Sequence, residues 1–277
     1  MKRLGLLHLV FPGHRATRFP LPQPLRILIT GASSGIGRAL AEHYAAAGHV
    51  VGAVARRGEL LADLAAQHPT ISSLQGDVTD AAEMDRIIRA FAGQHGGLDL
   101  VYVNAGVGQH TRDQGWDAQH CQQIAEVNIL GATNTIVPAV AVMLAQGRGR
   151  IIGVSSLAGS TPLPSAAAYG ASKAWLIFYL DALDMDLSPR GVHCSVVMPG
   201  YVATPMVDGS DSALVTPGAR RAAALIASRV ARGDRIIRFP RRIALLTSIA
   251  RFAPRSLRIA AQERRLNNRK QQRGRHG

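Results

Sequence analysis

The sequence predicts an α/β fold: a doubly wound parallel sheet in three layers, α/β/α. Three observations carry this. Short apolar runs, such as LDLVYV at 98–103 and RIIGV at 150–154, alternate with stretches of helical character, which implies strands buried on both faces. Most of these runs close on Gly, Asp, Asn, Ser or Arg, groups able to face a ligand beyond the carboxyl ends of a sheet. The chain has 277 residues, 47% hydrophobic and 18% charged, enough for a sizeable core and against global disorder.

The first unit is 25–57, LRILITGASSGIGRALAEHYAAAGHVVGAVARR. An apolar strand leads into a glycine turn, Gly31, Ser33, Ser34, Gly35, Ile36 and Gly37, followed by a helix to Gly48 and a second strand over 49–55. This is half of a Rossmann-type dinucleotide-binding fold. Gly31 permits the tight turn, and Gly35 and Gly37 let a pyrophosphate approach backbone at the helix start.

The alternation continues. A short helix over 59–66 precedes a strand over 71–74 that ends at Gly76, Asp77 and Val78. A helix over 81–92 is capped by Thr79 or Asp80, and the 98–103 strand ends at Asn104, Ala105 and Gly106. One long helix is expected over 117–145, carrying Asn128 and bent at Pro138. The 150–154 strand ends at Ser155 and Ser156. A loop then leads to Tyr169 and Lys173 at the start of a helix reaching 187. A strand over 192–198 ends at Pro199 and Gly200, with Val202 and Thr204 beyond. Thr216 and Pro217 are expected to cap and open a helix to 232, and 234–239 reads as a last strand.

Tyr169 and Lys173 are four residues apart and share one helix face. An ammonium beside a phenol favours the phenolate and tunes it for proton transfer. Ser156 ends the preceding strand, where its hydroxyl can hold a carbonyl or alcohol oxygen.

Taken in order, these motifs resemble the short-chain dehydrogenase/reductase family. The agreement comprises TGASSGIG at 30–37, GDVTD at 76–80, NAG at 104–106, Asn128, Ser156, the YxxxK of Tyr169 and Lys173, and PGYVAT at 199–204. It covers roughly 25–240; one departure is Val103, where the family often has a second asparagine. The resemblance implies hydride transfer between a nicotinamide C4 and a carbonyl or secondary alcohol, with Tyr169 as acid/base. It implies that Lys173 bonds the nicotinamide ribose, that Ser156 orients the substrate, and that Asn128 holds a water linking Lys173 to solvent. Asp77 and Val78 would flank the adenine. Asn104, Ala105, Gly106, Pro199, Gly200, Val202 and Thr204 would line the cofactor. By the same resemblance the substrate would be a small carbonyl or alcohol selected by loops near 107–115, 157–168 and 205–215. The helices of Asn128 and Tyr169 are those the family uses to pair subunits, so a homodimer or homotetramer is implied.

An NAD enzyme is expected to carry an acid after the second strand. Here Ala55 stands at that place, followed by Arg56 and Arg57, whose guanidinium groups suit a 2′-phosphate. NADP(H) is therefore favoured over NAD(H).

The formal charge of +14 is local. Residues 219–277 hold 17 Lys and Arg against 2 Asp and Glu, whereas 1–218 hold 15 against 16. Beyond the 25–240 domain, 241–277 reads as a basic amphipathic extension, with Ile243, Leu246, Ile249 and Phe252 at helical spacing. Such a helix suits an anionic membrane surface, the enzyme's own body or a second subunit. Sparse aromatics argue against nucleic acid. Residues 1–24 form an irregular extension without a convincing signal-cleavage site. Two cysteines, Cys121 and Cys194, form no framework. The scattered histidines include no HxH or HxxxH pair, so a metal site is not expected and a reducing cytoplasmic setting fits, with peripheral membrane association through the extension.

Overall fold

The computed structural model describes residues 23–108, 117–163, 166–200, 202 and 218–250, together with 254, 256 and 259. Thr204, the expected helix start at Thr216 and Pro217, and most of two of the expected substrate loops lie outside the described residues.

Seven strands form one sheet. In chain order they are β1 (Arg26–Thr30), β2 (Val50–Ala55), β3 (Ile71–Gln75), β4 (Leu100–Val103), β5 (Gly149–Val154), β6 (Val192–Pro199) and β7 (Ile236–Phe239). The spatial order is β3-β2-β1-β4-β5-β6-β7, and every neighbouring pair is parallel. The chain winds outward from β1 through β2 to β3, then from β4 through β7. The crossovers beside β1 and β4 therefore leave on opposite sides and open a crevice at the carboxyl ends.

The helices are α1 (Gly35–Ala46), α2 (Gly58–Gln67), α3 (Ala81–His95), α4 (Ala118–Ala125), α5 (Gly131–Ala145), α6 (Ala167–Leu187), α7 (Ala219–Ala231) and α8 (Arg241–Ala250). Alternating strand residues feed two cores. Ile27 and Ile29 pack with Leu40 and Tyr44 of α1, Leu61 of α2 and Ile226 of α7. Leu28 and Val101 pack with Phe91 of α3, Ile136 of α5 and Leu176 and Leu180 of α6. That two-sided burial explains the unbroken apolar strands.

Asp80, not Thr79, caps α3, its carboxylate accepting from Glu83 N–H at 2.9 Å. The α7 cap is Gly218, so that helix begins after the expected Thr216–Pro217 start. The single helix expected over 117–145 is interrupted by a π turn over Glu126–Leu130, while α5 runs through the buried Pro138. The turn brings Asn128 inward, where it is only 2% exposed. Helix α8 differs from its sequence pattern. Ile243 and Ala244 pack on the core, while Leu246 joins Leu245 on the exposed side.

Candidate active site

The glycine turn follows directly from β1. Gly31 adopts φ +68°, which L side chains rarely adopt, and a Cβ on Gly37 would lie 2.4 Å from the Gly31 carbonyl oxygen. Ser34, extended at φ −159°, precedes α1. Thr30 fixes the turn to β4: its hydroxyl donates to Tyr102 O at 3.2 Å and accepts from Asn104 N–H and Ala105 N–H at 3.1 and 3.2 Å. The Asn104 amide returns a bond to Thr30 O at 2.9 Å.

The turn opens onto a cleft of about 570 Å³. Gly31, Ser33, Ser34, Gly35 and Ile36 line it, with Arg56, Arg57, Asp77 and Val78. So do Asn104, Ala105, Gly106, Ser156, Tyr169, Lys173, Pro199, Gly200 and Val202. Gly37 packs against the turn instead, and Thr204 lies outside the described residues. The order β2-β1-β4-β5 sets the arginine end and the Ser156 end three strand spacings apart, about 14 Å.

The two arginines behave differently. Arg57 reaches back over the turn, its Nη2 donating to the Ser33 and Ser34 hydroxyls, each at 2.8 Å. Arg56 points to Asp77, 3.7 Å between Nη1 and Oδ2, and is largely exposed.

At the other end, Ser156 caps a 3-10 turn over Leu157–Gly159, its oxygen accepting from Ala158 N–H at 3.1 Å. That leaves the hydroxyl hydrogen for an acceptor in the cleft. Lys173 is 6% exposed and donates to Val154 O at 3.0 Å, with Nζ 5.8 Å from the Tyr169 ring centre. Burial lowers its pKa to about 8. The Asn128 amide group donates to Val107 O at 2.9 Å and Ser172 Oγ at 3.0 Å, and its oxygen accepts from Val107 N–H at 2.8 Å. Its side chain thus pins the 106–108 backbone, with Gly106 between it and Lys173.

Sequence reasoning passed over the residues that hold this frame: Thr30, Ser155 and Ser172. Ser155 Oγ donates to Lys173 O at 2.8 Å and Ser172 Oγ to Tyr169 O at 2.8 Å. Small hydroxyl residues carry no distinguishing pattern in a sequence. The cleft also takes His120, Gln123 and Val127 from the α4 side. Among the described residues no group of His, Cys, Asp or Glu is placed to hold a metal.

A doubly wound sheet with a glycine turn at its switch point, and Ser, Tyr and Lys in the same cleft, defines a dinucleotide-dependent oxidoreductase. Residues 26–214 match the family model of the short chain dehydrogenases, and the chain belongs to that family of NAD(P)-dependent dehydrogenases and reductases. An uncharacterized oxidoreductase of Myxococcus xanthus is 36% identical over 242 residues, covering 86% of this chain and 96% of the relative. A short-chain dehydrogenase from Streptomyces avermitilis superposes with TM-score 0.74 at 26% identity, covering 89% of this chain and 99% of that one. A short-chain dehydrogenase/reductase from Burkholderia phymatum, solved in complex with NAD, shares the fold. Its TM-score is 0.73 at 24% identity, over 80% of this chain and 91% of that one.

The residues present fit such a cofactor. A side chain at Gly31 or Gly37 would crowd Asn104, so glycine is what lets this turn keep its backbone at the start of α1, and Arg57 lies over it on Ser33 and Ser34.

Proposed function

We propose that the protein is an NADP(H)-dependent reductase or dehydrogenase acting on a carbonyl or secondary alcohol. The observation that carries the cofactor choice is Arg57, held by Ser33 and Ser34 above the glycine turn, with no acid at the end of β2. When bound, the nicotinamide supplies or accepts the hydride. The chain's residues do the rest. The Ser156 hydroxyl donates to the substrate oxygen and orients it. Tyr169 delivers or takes the proton on that oxygen. Lys173 lies on the same face of α6, and its positive charge favours the phenolate. Asn128 holds the 106–108 backbone against this group through its bonds to Val107. The test is NADPH consumption across ketones, aldehydes, quinones and steroids. Turnover on at least one carbonyl is expected; full turnover in Tyr169→Phe would refute the assignment.

A second reading concerns where the enzyme works. Helix α8 leaves β7 beside Gly200, whose N–H donates to Phe239 O at 2.8 Å, so it starts next to the cleft. Leu245 and Leu246 on its outer side are 60% and 65% exposed, and the arginine-rich chain follows. This supports docking on an anionic membrane surface and a lipid-derived carbonyl as substrate. Sedimentation with anionic vesicles is expected to be lost in L245E/L246E; equal sedimentation of the variant would exclude the reading. Leu130 and Val137 on the outer side of the α4–α5 run, and Phe178 and Met185 on α6, are each 55% or more exposed and spaced two helical turns apart. They support a homodimer through these helices. Light scattering of Phe178→Glu tests it, with a shift toward monomer expected.

A further inference from the structure

A second cavity, of about 410 Å³, lies at the opposite end of the sheet, between α1 and α7. It is lined by Arg150, second residue of β5, by His43 and His49 around α1, by His193 of β6 and by Ser228 of α7. No aspartate or glutamate lines it among the described residues.

Arg150 is unusual. It is only 5% exposed, and the described residues give its guanidinium a single hydrogen bond, Nη1 to Ser195 Oγ at 3.1 Å, and no ion pair. Five N–H donors on a buried cation call for more acceptors than one hydroxyl. The carboxylates whose charges reach it are engaged elsewhere: Asp234 with Arg229, and Asp184 with Arg235 and the Cys194 N–H. Residues 1–22, which lead to Gln23 in the cavity wall, contain no acid. His49 accepts from Leu25 N–H through Nδ1, at 3.3 Å, so its proton sits on Nε2 as a further donor. Apart from Gln23 and Tyr44, the remaining wall, including Ala224, Ala227 and Val230, is apolar.

We propose that this cavity is a second ligand site, for a small carboxylate or phosphate anion paired with Arg150 and the surrounding imidazoles. The site lies at the amino ends of the strands, away from the cofactor cleft, and does not depend on how that cleft is read. Burial lowers the pKa of Arg150, burial and Arg150 lower that of His193, and burial and His43 lower that of His49, so each would gain from a bound anion. The apolar wall favours an anion with a short hydrocarbon or sugar body over a bare ion.

The test uses the full chain with NADPH added in excess, and in parallel the Arg57→Ala variant, so that binding in the cofactor cleft is separated from binding here. Sodium phosphate and sodium hexanoate are titrated at constant ionic strength against chloride, reading the melting temperature. A saturable rise with either probe in both backgrounds is expected, phosphate marking a phosphoryl ligand and hexanoate an acyl carboxylate. R150Q should weaken the response at least ten-fold, and H43A several-fold. No saturable response to either probe, or an unchanged response in folded R150Q, would overturn the site. If R150Q does not fold, the imidazole resonances of the wild-type protein decide. His49 and His193 should shift with one common dissociation constant, and unmoved resonances would equally overturn the proposal.

Discussion

The two ends of the sheet use polar groups in opposite ways. At the carboxyl end, Thr30 and Asn104 bond each other's backbones, Ser155 and Ser172 bond the carbonyls of Lys173 and Tyr169, and the Ser156 hydroxyl, Lys173 and Arg57 are left lining the cleft. At the amino end, around β1 and β4, the polar groups close on themselves. Arg26 grips Asp99 with Nε at 2.7 Å and Nη2 at 2.6 Å, and Arg26 N–H also donates to that carboxylate. Gln146 bonds both backbone groups of Leu98. One end keeps spare donors for chemistry and the other spends most of its groups on holding the strands in register, with Arg150, His95 Nε2 and Arg148 Nε among the exceptions. Activity and stability should therefore be separable by substitution at the two ends.

The largest expected effect is at the carboxyl end. Tyr169→Phe should lower kcat about a thousand-fold, roughly 4 kcal/mol in the barrier. Its urea midpoint should shift by no more than one hydroxyl's interactions allow, about 1 kcal/mol, since the ring stays in place. The complementary break is Asp99→Asn, which leaves the Arg26 guanidinium beside a neutral amide at a fully buried position. It should cost about 3 kcal/mol in urea unfolding, with kcat of the folded enzyme within two-fold of wild type. A large loss of kcat at constant stability in Asp99→Asn would dissolve the contrast between the ends.

The same contrast shows what the sequence could reveal. Strand positions and two-faced burial were legible because apolar runs and glycine turns are local patterns, and the cleft residues because they fall at strand ends. The π turn at Glu126–Leu130 was not, since nothing local distinguishes EVNIL from ordinary helix. It becomes necessary only through Gly131, where a Cβ would lie 2.6 Å from Val78, and through Asn128 reaching Val107 across 21 residues. The partition of α8 was hidden for a similar reason. Spacing placed Leu246 with Ile243, but the body of the enzyme offers a seat only for Ile243 and Ala244. Arg26 and Asp99 lie 73 residues apart, and only the parallel pairing of β1 with β4 makes them partners.

Lys173 belongs to both regimes, because its buried place in the cleft is costly to the fold. Burial holds its pKa at about 8 instead of the usual 10.5. The unfolded chain binds more protons between these values, so stability of the cofactor-free protein should rise as pH goes from 8 to 10.5. Below pH 8 the penalty is fully present. Lys173→Met should therefore abolish turnover while raising stability at pH 7 by about 2 kcal/mol, after allowing for the lost bond to Val154 O. A thermal melt of the variant that is lower than wild type at pH 7 would show that the ammonium holds α6 in place.

The smallest effect discriminates most finely, because Arg56 and Arg57 are adjacent in sequence and differ only in where they point. Arg57 lies over the glycine turn on Ser33 and Ser34, whereas Arg56 is drawn aside toward Asp77. A 2′-phosphate should accordingly be gripped by Arg57 and only brushed by Arg56. In a fluorescence titration the wild-type protein should bind NADPH at least ten-fold tighter than NADH, about 1.4 kcal/mol. Arg57→Ala should remove most of that ratio by weakening NADPH alone, and Arg56→Ala should change it no more than about three-fold, under 0.7 kcal/mol. Equal loss in the two variants would mean that Arg56 leaves Asp77 when the nucleotide arrives. An unchanged ratio in Arg57→Ala would mean that its bonds to Ser33 and Ser34 serve the turn and not the phosphate.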